Sequence, residues 1–291
     1  MLLRRAVAAI AVSAGLAPCA AYAQSASETT LPRRPEPVFA PRTVNVFADL
    51  TSSTQHDRRP TYQRDDDLTQ FQAGGLVRVA PNVSLTLGAA YNDLRGDKRF
   101  PEVGKYKMTG YTAFAGATYY VAQNYSFNAT AGLVRNKIRQ DRIAGATRIT
   151  EGHDLDGEFV SLSADANYLF ATARAALFAR YLYYHGVEPA SVDSGGFARD
   201  RFTDTLGRIT LGGEAYKRVQ LGRVTVEPMA RVALLYDTRL QNFYHDRSAF
   251  DVAAGFNVPF GATTIAFRVS SILGRKDYQN TDLRISLYRQ F

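Results

Sequence analysis

The sequence predicts an all-β fold: a single transmembrane outer-membrane β-barrel of about twelve antiparallel strands, with both termini in the periplasm. Apolar and polar residues alternate with a period of two from Thr43 to the last residue, which is typical of strands with two different faces. The connections between these segments are alternately short and long. The mean hydropathy of -0.21, and the lack of an apolar run of helical length after the N-terminus, argue against membrane helices.

The N-terminus has the pattern of a secretory signal peptide. Arg4 and Arg5 precede a short apolar segment, and an Ala-x-Ala cleavage motif ends at Ala23. This pattern predicts a signal peptide over residues 1–23 and a mature chain that begins at Gln24, with an uncleaved anchor as the alternative. We therefore expect the protein to be exported to the bacterial cell outer membrane.

The single cysteine, Cys19, lies within the predicted signal peptide. The mature chain is then expected to contain no disulfide and no cysteine metal site; lipoprotein processing at Cys19 is the alternative. Residues 24–42 contain four closely spaced prolines, which exclude a regular helix and predict a Pro-rich, extended periplasmic lead-in. The outer-membrane β-barrel is expected to occupy residues 43–291.

Twelve alternating segments have the length of strands that cross a bilayer at a tilt. If the first strand runs outward, all short connections become periplasmic turns and all long polar connections become external loops. A soluble β-sandwich or propeller is the alternative, but the polar face is rich in Gly, Ser, Thr and Arg, which suits a wet lumen. The expected strands are 43–51, 69–80, 83–93, 107–121, 125–137, 158–170, 173–185, 204–218, 223–236, 249–258, 263–273 and 281–291, and the expected long loops are 52–68, 94–106, 138–157, 186–203, 237–248 and 274–280.

Strand parity also predicts which charged residues face the lumen. Eight arginines against four carboxylates predict an interior with a net positive charge. This arrangement suits an anion-attracting pore, or it provides cross-strand ion pairs that fill a narrow interior, and we favour ion pairs for most of the arginines. The predicted lumen residues are Arg78, Arg174, Arg180, Arg208, Arg218, Arg231, Arg268, Arg284, Asp165, Glu214, Glu227 and Asp251.

The last expected strand ends on an aromatic carboxy-terminus. Leu283, Ile285, Leu287 and Phe291 share one face of this strand. The pattern resembles the terminal strand of outer-membrane barrels, and that resemblance implies recognition by the barrel-insertion machinery.

Several segments carry a resemblance to one family of outer-membrane barrels. They are Leu-Gly-Ala-Ala-Tyr at 87–91, Gly-Tyr-Thr-Ala-Phe-Ala-Gly at 110–116, Leu-Gly-Gly-Glu-Ala-Tyr at 211–216, Val-Thr-Val-Glu-Pro-Met-Ala-Arg at 224–231 and Ala-Ala-Gly-Phe at 253–256. In this order, and with the closing strand, residues 43–291 resemble the translocator (β) domain of autotransporters. The resemblance implies a twelve-stranded barrel whose pore is traversed by an N-terminal segment. Only about 19 residues precede the first expected strand in the mature chain, so we expect a barrel that lacks a passenger.

The residues that carry chemistry in other proteins do not form a recognisable site here. The four histidines, His56, His153, His185 and His245, are dispersed over or beside the expected external loops. The acidic run Asp65–Asp67 lacks the spacing of a calcium loop and is interpreted as a solvated loop. The sequence therefore predicts no enzyme, no cofactor and no metal.

The sequence leaves three functions to be distinguished. The first is an autotransporter-type barrel without a passenger, with a structural or surface role or a small pore. The second is an anion-preferring porin, and the third, which we do not expect, is an outer-membrane barrel hydrolase that uses His245. The expected partners are outer-membrane lipid and lipopolysaccharide, whose phosphates suit Arg58 and Arg59, and the barrel-insertion machinery; export argues against nucleic acid, and no ligand is indicated.

Overall fold

A computed structural model provides the coordinates of the chain. The predicted signal peptide and lead-in, including the cleavage residues Ala23 and Gln24, lie outside the described residues. Among the residues that the structure does describe, no helix is long and apolar enough to cross a bilayer. The described residues are 44–59, 62–100, 103–122, 124–144, 147–240, 246–276 and 278–291.

Twelve long antiparallel strands form one closed barrel, which confirms the predicted fold class. Each long strand pairs with its neighbours in the chain, and β1 pairs with β15 to close the barrel. The short strands β8 and β9 form a separate hairpin, and β11 pairs only with β12. The strands are β1 (Val44–Arg59), β2 (Tyr62–Ala80), β3 (Val83–Phe100), β4 (Gly104–Ala122), β5 (Tyr125–Ala144), β6 (Thr147–Leu169), β7 (Ala173–Glu188), β8 (Ser191–Val192), β9 (Ala198–Arg199), β10 (Phe202–Lys217), β11 (Val219–Leu221), β12 (Val224–Leu240), β13 (Ser248–Phe260), β14 (Thr263–Leu273) and β15 (Tyr278–Gln290).

The two ends of the barrel differ. At one end, which we call the short-turn end, tight connections such as 81–82 and 261–262 join neighbouring strands. Gly222 and Gly261 have φ angles of 60° and 57° in these turns, a conformation that glycine adopts without a steric penalty. At the opposite end, which we call the extended end, five of the described strands reach well beyond the expected bounds: β1, β2, β3, β5 and β6.

The expected loops 52–68, 94–106 and 138–157 are the main error of the sequence interpretation. Each of them is largely strand, because β1 continues to Arg59, β3 to Phe100 and β5 to Ala144. The alternation of polarity continues through these segments, but its apolar face changes sides. The expected loop 186–203 likewise contains the end of β7 and the β8–β9 hairpin.

Strand β3 shows this exchange of faces clearly. Towards the short-turn end its outward side chains are apolar, as at Leu87 and Tyr91, and Asn92 is buried in the interior. Towards the extended end, Asp93 and Arg95 point outward and Leu94 is fully buried. A lipid-facing wall requires apolar residues outside, whereas a wall in water requires charges outside and apolar residues inside. The exchange therefore marks where the barrel leaves the membrane.

The outward apolar residues form a belt around the barrel, which we call the apolar band. Tyr91 and Tyr111 lie at its edge on the extended-end side, with ring centroids 5.2 Å apart. The C-terminal strand contributes to the band through four side chains that are 38–65% exposed, namely Leu283, Ile285, Leu287 and Phe291. Other exposed aromatic residues on the outer face include Phe71, Tyr119, Phe127, Phe170, Tyr181 and Tyr236.

A hydrophobic core lies in the interior of the extended end, along β2–β7 and β10. We call it the interior apolar cluster. Leu94, Met108 and Leu155 have no exposed surface, and each lies between outward residues that are charged or polar. This end of the barrel is therefore built like a small soluble β-protein that continues from the membrane-spanning part. The cluster consists of Leu68, Leu94, Tyr106, Met108, Val134, Ile138, Leu155, Phe159, Leu182, Tyr184 and Leu206.

The segment between β7 and β10 covers an unpaired strand edge. Strand β6 is longer than its partner β7, so the pairing of the two strands ends at Asp156 opposite Val187. Beyond that point, the backbone N–H of Ser194 donates a hydrogen bond of 3.0 Å to the carbonyl of Thr150. The backbone N–H of Thr150 in turn donates to Ser194 Oγ at 2.9 Å. The β7–β10 connection thus lies along the free edge of β6.

Candidate functional site

The charged interior of the barrel is the first candidate site. The structure buries Arg78, Arg208 and Arg231, which are 2–3% exposed. Arg174 and Arg268 are partly buried, with side chains 18% and 17% exposed. Arg180 and Arg284 line an interior cavity with Asp165 and Glu214.

Most of these charges lie in cross-strand ion pairs. Arg231 Nη2 lies 2.9 Å from Asp251 Oδ2, and Arg268 Nη2 lies 3.4 Å from Glu214 Oε2. At the short-turn rim, Arg218 is 62% exposed and its Nη2 lies 3.0 Å from Oε1 of Glu227. The pairs fix neighbouring strands to each other and occupy the space that a channel would need.

Arg208 forms a pair that strand parity alone did not reveal. Its guanidinium donates hydrogen bonds of 2.5 and 3.1 Å to the two carboxylate oxygens of Asp237. Arg275 donates to the same carboxylate from the connection between β14 and β15. The sequence interpretation placed Asp237 in an expected loop and therefore missed its partners. Asp237 continues the polar face of β12, and this alternation could have indicated that it points inward.

Among the buried charges of the described residues, carboxylates outnumber cations, so these charges do not repeat the net positive sum of the twelve predicted lumen residues. Carboxylates from the segments that were interpreted as loops also point inward and offset the arginines. The sequence interpretation had assigned most of them to solvent. The buried carboxylates are Asp49, Asp57, Asp66, Glu151, Glu188, Asp193, Asp204, Asp237 and Asp251, and the buried cations are Arg64, Arg78, Lys98, Arg142, Arg208, Arg231 and Arg275.

One cavity lies among the charged side chains of the interior. It has a volume of about 50 Å³ and lies between Arg180, Arg268, Arg284, Asp165 and Glu214. A volume of this size holds only a few water molecules. The side chains around this cavity are mostly polar. The interior apolar cluster lies further along the barrel, towards the extended end.

A second candidate site is a buried group of ionisable residues at the extended end. His153 Nε2 lies 3.1 Å from Glu188 Oε2, and Nδ1 of the same ring lies 3.5 Å from Glu151 Oε1. Gln140 donates a hydrogen bond of 2.8 Å to Glu151. Burial, together with the charge of Glu188, raises the pKa of the Asp204 carboxyl to about 7.

The remaining histidines do not join this group. His56 faces outward and its Nδ1 lies 2.7 Å from Asp65, and His185 lies 3.5 Å from Thr205. His245 lies outside the described residues. Within the described ranges no three His, Cys, Asp or Glu side chains are arranged to hold a metal ion.

The acidic run 65–67 is part of β2, and its side chains alternate between the two faces. Asp66 points into the interior, where it is 1% exposed and lies 2.8 Å from Arg64 Nε. Asp65 and Asp67 point to the other face, where Arg58 and Arg99 contact Asp65. The three carboxylates therefore do not converge, and the run is not the solvated loop that the sequence interpretation assigned.

The closed twelve-stranded barrel places the protein among the β-barrels. Comparison with known sequences identifies its family. The family model for the autotransporter β-domain matches residues 44–269. The chain belongs to the autotransporter β-domain family. No curated protein sequence matches the chain significantly.

Solved translocator barrels of autotransporters share the fold of this β-domain. The translocator domain of NalP from Neisseria meningitidis has a TM-score of 0.71 at 14% identity, over 87% of this chain and 90% of that chain. The β-domain of the Bordetella autotransporter BrkA has a TM-score of 0.69 at 16% identity, over 86% and 100%. The transport unit of AIDA-I from Escherichia coli has a TM-score of 0.67 at 12% identity, over 93% and 97%. These structures show the fold, and the family match identifies the protein as an outer-membrane barrel of the autotransporter type.

Proposed function

We propose that this autotransporter β-domain works as a closed surface protein, with its extended end outside the cell and both termini in the periplasm. The observation that carries the proposal is the interior apolar cluster. Its members come from β2–β7 and β10, and side chains such as Met108 and Leu155 have no exposed surface. A path for ions or for an unfolded passenger would have to pass through this core or separate the buried polar side chains beside it, such as Gln55 and Asp57. The barrel therefore acts without passing a passenger in this state, and the extended end is the part that meets the surroundings.

Single-channel recording tests whether the barrel is closed. The mature chain, purified from outer membranes and placed in planar bilayers, is expected to give no steady conductance because the apolar cluster excludes water. A version that begins at Arg42 is recorded beside it. Silence from both supports the closed barrel, whereas a current that appears only in the shortened chain would mean that the lead-in is the plug and would contradict the proposal.

An anion-preferring pore is the second candidate, and a specific observation favours it. Arg180, Arg268 and Arg284 all line the one interior cavity described above. If this function is correct, the full mature chain conducts steadily with a preference for anions. Neutralising Arg174, Arg180 and Arg231 would then reduce that current, an outcome that would replace the closed barrel as the proposed function.

The proposed orientation has its own test, because Cys19 is the only natural cysteine. Ser194→Cys places a thiol at the extended end, and Ala262→Cys places one at the short-turn end. With a membrane-impermeant maleimide on intact cells, we expect labelling at position 194 and none at 262. Labelling of 262 alone would show that the short-turn end faces outward.

A further inference from the structure

Three cations lie side by side on the outer wall of the extended end. Arg95 of β3 is directly opposite Lys107 of β4, and Lys107 is directly opposite Arg139 of β5. The three side chains point outward and are exposed; Lys107 and Arg95 are 50% and 70% exposed. Neighbouring strands are about 4.8 Å apart, so the row spans about 10 Å. We call Arg95, Lys107 and Arg139 the cationic row.

The arrangement is unfavourable for the protein alone. Like charges directly opposite each other on paired strands destabilise a sheet, since their Cβ atoms are only about 5 Å apart. One carboxylate, Asp93, serves two members of the row, at 3.1 Å from Arg95 and 3.7 Å from Lys107. Arg139 has no ion pair among the described residues, and outward-facing Lys137 lies beside it along β5. An external anion would relieve this repulsion.

The level of the row indicates what that anion is. On β4 the row lies four residues beyond Tyr111, which is on the edge of the apolar band. Four residues of a tilted strand rise about 10 Å, and the headgroup layer of a bilayer is about 5–8 Å thick on each side. On β5, Arg135 lies opposite Tyr111 and forms an ion pair with Asp156, while Lys137 lies between that level and the row, opposite Asp154 of β6. The cations therefore begin at the band edge and cover the headgroup layer and the zone just outside it.

We propose that Lys107, Arg139 and Lys137, with Arg95, form a docking site for the phosphate groups of lipopolysaccharide in the outer leaflet. The inference rests on the proposed function, which places the extended end outside. Lysine and arginine bind phosphate through charge-assisted hydrogen bonds, and a row of them matches a lipid that carries more than one phosphate. The tyrosines below the row, Tyr91 and Tyr111, provide an interfacial platform for the same lipid.

Lipid A binding to the purified protein in non-ionic detergent tests the site. The probes are bis-phosphorylated lipid A, dephosphorylated lipid A and inorganic pyrophosphate, with binding read as a shift in thermal unfolding temperature and by native mass spectrometry. The variant is Lys107→Gln/Arg139→Gln. The matched control, Lys217→Gln/Arg223→Gln, removes the same charge at the short-turn end. Arg139→Lys keeps the charge and is expected to keep binding.

We expect bis-phosphorylated lipid A to bind the natural protein and the control, and to bind the double variant at least about tenfold more weakly. Without lipid A, the double variant should be as stable as the natural protein or more so, because a like-charge pair has been removed. Equal binding by the double variant would overturn the proposal, as would equal responses to dephosphorylated lipid A or to pyrophosphate. Lipid A binding in detergent does not depend on which end of the barrel faces outward. Cysteine labelling that contradicts the proposed orientation would therefore refute the proposed function and leave the lipid A result unchanged.

Discussion

At the scale of single residues, Asp204 is a buried carboxylic acid whose pKa is well above its ordinary value. It is 5% exposed and lies at the extended end, outside the apolar band. Burial, with a contribution from Glu188, raises the pKa of its carboxyl from 3.8 to about 7. Between these two pH values the folded protein binds a proton that the unfolded chain releases. The free energy of unfolding contributed by this residue therefore falls as pH rises from about 4 to about 7.

Asp204→Asn is expected to remove this pH dependence. The variant should be more stable than the natural protein at pH 8, by up to about 4 kcal/mol, and nearly equal to it at pH 4. Urea unfolding in lipid vesicles at both pH values measures the difference. Asp154→Asn, at an exposed outward position, is the control and should show no such change. A difference that is the same at both pH values would contradict the interpretation.

Strand parity was a good guide to the face of a residue and a poor guide to its partner. It placed Arg78, Arg208 and Arg231 on the inward face, and these side chains are buried. It did not reveal that Arg208 pairs with Asp237, because the expected strand ended at residue 236 and Asp237 was assigned to a loop; just beyond this pair, the register between β10 and β12 shifts at a bulge between Gly207 and Arg208. A shift of one residue changes which residues face each other, and a single sequence does not contain that information.

At the scale of strands, the alternation of polarity located all twelve barrel strands but not their ends. The expected strand ends were set where the outward face stopped being apolar. This criterion fails where the barrel wall passes from lipid into water, because the strand continues with a polar outward face. In β5 the outward residues change from Leu133 to Arg135 and Lys137, and the inward residues become apolar at Val134 and Ile138. A period of two that persists while its apolar face changes sides is the signal that identifies such extensions.

Aromatic rings cover strand glycines inside the barrel. Phe114 lies directly opposite Gly88, and its ring occupies the space of the missing side chain, since a Cβ there would lie 2.3 Å from Cζ. Gly74 is covered by Phe47 in the same way, with a Cβ 2.5 Å from the ring. Such pairs allow a curved sheet to stay covered where glycine provides the bend. The register between neighbouring strands determines which ring covers which glycine.

Gly88→Ala is therefore expected to destabilise the barrel, by about 1–3 kcal/mol, because the methyl group overlaps the Phe114 ring. Adding Phe114→Leu should recover part of the loss, though not all, since the carbonyl oxygen of Ala73 would lie 2.9 Å from the new Cβ. Gly75→Ala is the control, because the nearest atom to its Cβ is 3.6 Å away. Urea unfolding measures all three; equal losses at 75 and 88 would show that the ring contact is not the cause.

At the scale of the whole molecule, closure of the barrel depends on the last strand. β15 pairs with β1 from Asn45 opposite Gln290 to Asp57 opposite Tyr278. The backbone N–H of Phe291 also donates a hydrogen bond of 2.8 Å to the carbonyl of Val44. The barrel therefore has no closed wall until the C-terminal strand is in place.

Phe291→Ser is expected to reduce the amount of folded barrel in the outer membrane, because it alters the terminal aromatic residue that the insertion machinery is proposed to recognise. Phe170→Ser is a matched control at the same rim, since the two rings are 65% and 64% exposed. Heat-modifiable mobility of outer-membrane extracts measures the folded fraction. Equal losses in the two variants would assign the effect to lost lipid contact rather than to an insertion signal.

The β7–β10 connection determines how tolerant the molecule is of engineering. Residues 147–155 of β6 extend past their partner strand, and the connection holds them through Ser194 and Thr150. A foreign peptide grafted in place of residues 189–201 would leave a row of unsatisfied amides and carbonyls facing water, and such an edge recruits the edge of another molecule. Surface display at this site would therefore favour edge-to-edge association of neighbouring barrels, whereas the natural connection covers this edge.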